Sequence, residues 1–109
     1  MEQRRGQLVE EIRIAERARD LLAGLERRLK ERDRSDLENH LSQLERLAGS
    51  LPEDHTVRLL VDDAVQSARA RGAGYAYSAA SRSRSKTEGR LSSLRGILSR
   101  DEAFANREA

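Results

Sequence analysis

The chain has no cysteine and no tryptophan, and its only aromatic residues are Tyr75, Tyr77 and Phe104. Without cysteine there is no disulfide, and a reducing compartment is permitted, so a cytoplasmic location is the expectation. With so few aromatic rings the usual bulk of a globular core is missing. Long apolar runs are missing too. No segment is extended and apolar enough for a secretory signal or a membrane span. Large aliphatic and phenylalanine side chains are sparse: Leu, Ile, Val and Phe number 23 of 109 residues, near the ~20% below which chains tend to disorder. The net charge of only +2 argues against disorder throughout, because disorder usually needs strong self-repulsion as well.

What is present is unevenly distributed. Eighteen of those 23 residues precede position 66. Residues 1–65 also hold 12 basic and 15 acidic side chains, a net −3. Residues 66–90 invert both properties. They contain no Leu, Ile, Val, Phe or Met, and Arg69, Arg71, Arg82, Arg84, Lys86 and Arg90 are opposed by Glu88 alone, a net +5. A leucine-patterned part is thus joined to a basic Ser/Arg part.

The leucine-patterned part reads as helices. Leu8, Ile12, Ala15, Ala18, Leu22, Leu25 and Leu29 recur at steps of three and four, which predicts one long helix over 7–33. Its other faces carry opposite charges at helical spacing: Glu10 with Arg13, Glu16 with Arg19, Glu26 with Lys30. Gly24 interrupts this pattern and marks a close helix crossing or a kink. Ser35-Asp36-Leu37-Glu38 has the form of a capping box and opens a second helix with a stripe of Leu37, Leu41, Leu44 and Ala48, ending at Gly49. Ser50-Leu51-Pro52-Glu53 repeats the box, with proline in a first turn where its missing N–H is no loss. Val57, Leu60, Val61, Ala64 and Ala68 then pattern a third helix ending near Gly72.

Beyond Gly72 the pattern fades. Gly72-Ala73-Gly74 breaks the helix, and Ser81–Lys86 is a low-complexity solvated run. Thr87 is placed to cap a fourth helix bearing Leu91, Leu94, Ile97 and Leu98. The expected fold is therefore all-α: a small antiparallel helical bundle or coiled-coil-like hairpin of three helices, with a possible fourth. The expected organisation is a helical part over 1–72, a flexible basic segment over 73–87, and a short amphipathic helix with a frayed tail over 88–109.

Chemistry-bearing motifs are few. His40 and His55 are the only histidines, and neither lies in a metal-ligand pattern. Asp62 and Asp63 are adjacent, so on a helix they point ~100° apart and do not clamp an ion together. No nucleophile elbow and no phosphate-binding loop occurs. The expectation is a non-enzymatic protein with no cofactor and no metal.

The basic segment is the functional candidate. Its charge suits phosphates, whose counterions it would release, and Tyr75 and Tyr77 suit stacking on exposed bases. Arg69, Arg71, Arg82, Arg84, Lys86, Arg90 and Arg95 are the expected contacts to RNA or DNA, without sequence preference. The long leucine stripe, longer than either shorter helix can cover alone, points to a homodimer. The alternative reading is a protein–protein interaction or regulatory factor that packs its amphipathic helices on a partner without nucleic acid.

Overall fold

The computed structural model describes residues 2–32, 34–70 and 73–108, with side chains at 3–32, 34–70 and 74–104. It is all-helical among the described residues: α1 (Glu2–Lys30), α2 (Leu37–Gly49), α3 (Thr56–Ala70) and α4 (Ala73–Glu108). The expected break at Gly72 lies outside the described residues, between the end of α3 and the start of α4.

α1 and α4 run antiparallel along the length of the molecule. Arg4 pairs with Asp101 at one end, and Glu26 meets Arg84 toward the other. α2 returns along the C-terminal half of α1, and α3 rises again beside α2, where its Arg69 reaches Glu38 and Glu45. The α2–α3 connection meets α1 at Glu11, through His55. Toward the N-terminus of α1, α1 and α4 continue as a pair. The molecule, 54 × 22 × 20 Å, thus has a four-helix end and a two-helix stem.

Two core clusters match these regions. At the four-helix end, Leu22, Leu25, Leu44, Val57 and Val61 are fully buried and pack with Leu41, Ala64 and Ala80. In the stem, Ile12 and Ala15 pack with Leu91 and Leu94, flanked by Leu8 and Leu98.

The largest departure from expectation is α4. Residues 73–87, expected as a flexible connector, form its N-terminal half. One stripe runs the length of the helix at steps of three and four: Ala76, Ala80, Ser83, Thr87, Leu91, Leu94, Leu98. The first six are buried and Leu98 is half-buried. The small members lie where α4 is pressed against both α1 and α3, and the leucines lie where it meets α1 alone. Leu22 and Leu25 of α1 share a cluster with the small Ala80, and Ile12 and Ala15 share one with Leu91 and Leu94. The polar members are satisfied by main-chain carbonyls, one on α3 and one on α4 itself. Ser83 Oγ donates to Leu60 O at 2.9 Å and Thr87 Oγ1 to Ser83 O at 2.7 Å. Thr87 is therefore a buried interior residue rather than a cap.

Helix ends also differ in detail. α2 begins at Leu37 with Asp36 at the cap position and no side-chain cap bond. The Asp36 carboxylate instead accepts from Arg28 Nη2 at 3.0 Å and Asn39 Nδ2 at 3.3 Å. Ser50 closes α2, its hydroxyl donating back to Leu47 O at 2.7 Å, so it does not open α3. Residues 52–55 form a turn, His55 N donating to Pro52 O at 3.0 Å, and α3 starts at Thr56. Its cap is His55, whose Nδ1 accepts from Val57 N at 3.1 Å. Histidine fills the role expected of a serine because its other nitrogen has a second anchor, Glu11, across the molecule.

Gly24 marks a close crossing. A Cβ there would lie 2.7 Å from Cε1 of His40. The missing side chain lets the buried His40 ring of α2 sit on α1, with Nε2 hydrogen-bonded to Leu21 O.

Candidate functional site

The basic segment lies on α4 and the end of α3, and the helices fix what its cations can reach. Arg69, near the end of α3, pairs through Nη2 with Glu38 at 2.8 Å and with Glu45, both on α2. Arg84 sits on the side of α4 that faces α1. It pairs with Glu26, which is largely buried, and with Glu88 one turn on at 3.0 Å. The hydrogen bonds that Arg84 donates to Glu26 and then to Glu88 raise its pKa above its ordinary value. Arg90 Nη2 lies 3.6 Å from Glu11 Oε2, and Arg95 Nη2 lies 2.9 Å from Glu16.

Four of the candidate phosphate contacts are thus joined to glutamates of the acidic helical part. The charge separation seen along the chain becomes attraction between helices. Partly exposed pairs of this kind contribute modestly each, ~0.2–1 kcal/mol; those of Arg84, Arg90 and Arg95 join α4 to α1 and that of Arg69 joins α3 to α2. Arg82 and Lys86 differ. Both are exposed, and neither has an ion-pair partner among the described residues. Arg71 lies outside the described residues.

The glutamates are the residues that sequence reasoning placed elsewhere. Glu10 does pair with Arg13, at 3.8 Å. Glu16 and Glu26, expected to pair locally with Arg19 and Lys30, reach across to Arg95 and Arg84 instead. Local spacing is satisfied equally well by either partner, so spacing alone gave no signal.

His55 is committed on both ring nitrogens. With Nδ1 accepting from Val57 N, the proton sits on Nε2 and is donated to Glu11 Oε2 at 2.9 Å. The same carboxylate faces Arg90, so one glutamate ties α1, α3 and α4 together where the stem begins. The contact fastens the α2–α3 connection to α1.

A groove of about 750 Å³ lies between α3 and α4. Asp63 and Ala70 border it on α3, Tyr75 and Arg82 on α4, and Ser67 and Ala79 line it between them. Among the described residues no group of three or more His, Asp or Glu side chains is placed to hold a metal ion. No described helix is long and apolar enough to cross a membrane. In comparisons with protein-family models, curated proteins and solved structures, nothing matches this chain.

Proposed function

We propose that this protein is a non-enzymatic helical interaction module that works by associating with protein, in the first place with a second copy of itself. The observation that carries this reading is the fate of the basic side chains. Arg69, Arg84, Arg90 and Arg95 are engaged by Glu38 and Glu45, Glu26, Glu11 and Glu16, so much of the expected phosphate-binding set is taken up by glutamates of other helices. What the molecule offers outward includes Val9, Leu59, Tyr75 and Phe104, all exposed large apolar side chains. Covering such groups with a partner is favourable, at ~25 cal/mol per Å² of apolar surface removed from water. Sedimentation equilibrium of the purified chain tests this. A dimer at micromolar concentration is the expected result, and a monomeric mass at all concentrations would end the reading.

A second reading keeps nucleic acid as the partner. It is favoured by the outer face of α4, where Arg82, Lys86 and Arg100 are exposed without ion-pair partners among the described residues. These three, rather than Arg84, Arg90 and Arg95, would then touch phosphates. Replacing Arg82 and Lys86 by Ala should lower the salt slope of binding to a random duplex by about one unit per lost contact. No binding by the parent at low salt would remove this reading.

A further inference from the structure

We infer that the α3–α4 groove is the surface on which the second copy sits, with Asp63 of each chain paired to Arg82 of the other across a two-fold axis that runs along the groove. The inference rests on the self-association proposed above and names the place where it occurs. It starts from charge. Asp63 and Arg82 stand on opposite rims of the groove, both exposed, and neither has an ion-pair partner among the described residues. An isologous interface must be complementary to itself, since the same patch is used on both chains. A rim carrying one acid faced by a rim carrying one base meets that requirement.

Register makes the fit specific. The Ser83 Oγ to Leu60 O hydrogen bond fixes the level of α4 against the antiparallel α3. Counting from it, Asp63 and Arg82 differ in height by only ~3 Å at 1.5 Å per residue. With the two-fold along the groove, each α3 lies over the other chain's α4 at unchanged height. Asp63 then meets Arg82 of the second copy, twice by symmetry. Tyr75, 66% exposed, meets the small Ala70 side of the other α3. Leu59, 57% exposed, meets the aliphatic stem of Lys86. A two-fold across the groove instead lays Asp63 against Asp63, which like-charge repulsion disfavours. The small lining residues Ser67 and Ala79 allow the helix pairs to approach closely.

The experiment is a charge exchange on the full chain, read by sedimentation equilibrium, with circular dichroism to check the fold. Both side chains are exposed, so Asp63→Arg and Arg82→Asp should fold as the parent does. Each variant alone places two like charges at each contact and should weaken its dimer at least ~10-fold. An equimolar mixture should restore a dimer of near-parental affinity, because the two basic groups of the first variant then face the two acidic groups of the second. If the parent dimerises and both variants match it, the second copy sits elsewhere and this assignment is wrong while self-association stands. Weakened variants that stay apart on mixing also overturn the crosswise pairing. A monomeric parent overturns both.

Discussion

The four-helix end and the two-helix stem are built on the same pair of helices, and α4 serves them with different side chains. Between α1 and α3 it presents Ala76, Ala80, Ser83 and Thr87; against α1 alone it presents Leu91, Leu94 and Leu98. The difference is one of crowding. Where two helices flank α4, its side chains must be short or the axes separate. Where one flanks it, leucines fill the space that no third helix occupies. A stretch without leucine is thus no sign of exposure, since its small stripe is among the most buried in the molecule.

The largest expected contrast is in the cost of a cavity. Leu22 is fully enclosed at the four-helix end, whereas Leu94 packs in the stem with solvent close by. Leu22→Ala should cost about 3–5 kcal/mol, because neighbours on every side prevent collapse. Leu94→Ala should cost about 2 kcal/mol or less, as the stem helices close part of the gap and water reaches the rest. Urea unfolding gives both values. Equal losses would mean that the stem is as enclosed as the bundle, as it would be if a partner covered it.

Two glycines sharpen the same contrast at smaller magnitude. A methyl at Gly24 would meet His40 Cε1 at 2.7 Å, while one at Gly96 meets nothing within 4 Å. Gly24→Ala should therefore destabilise by about 1–3 kcal/mol through forced movement of a buried ring. Gly96→Ala should stabilise by up to about 1 kcal/mol through helix propensity. Opposite signs in thermal melts are the expected outcome. A stabilising Gly24→Ala would show that α2 is free to shift on α1.

These contrasts also mark how far the sequence could be read. The stripes of Leu8–Leu29, Leu37–Ala48 and Val57–Ala68 were legible because leucine and valine at steps of three and four share one side only when the chain is helical. Gly24 was legible only as a crossing or a kink, and the His40 ring seated over it decides for the crossing. Residues 73–87 were not legible. Alanine, serine and arginine fit a helix and a solvated linker equally, and what decides is the bulk of Leu22 and Leu25 on another helix. The ion pairs were hidden for a similar reason. Glu16 and Glu26 each have a basic neighbour at helical spacing, and only the height of α4 on α1 assigns them to Arg95 and Arg84. The candidate site changed most, because a count of charge along the chain cannot tell cations that face solvent from those that face glutamate.

The smallest expected effect concerns the loop that seats α2 on the four-helix end, and it is one of pH. Arg28 Nη2 donates to Asp36 at 3.0 Å and Arg28 Nη1 to Gly24 O at 3.2 Å. The hydrogen bond from Arg28, with a second from Asn39, lowers the Asp36 pKa below its ordinary 3.8. A carboxylate depressed in the folded state contributes stability above its unfolded pKa and loses it as pH falls through the folded value. The contribution should therefore be intact at neutral pH and fade below about pH 4. It should also shrink with added salt, since the carboxylate is open to solvent. Asp36→Asn removes the titration while keeping the shape. The urea midpoints of the parent and this variant should differ slightly at pH 7 and converge toward pH 3. A separation that stays constant over that range would show that the Asp36 charge does not help to hold α2 in place.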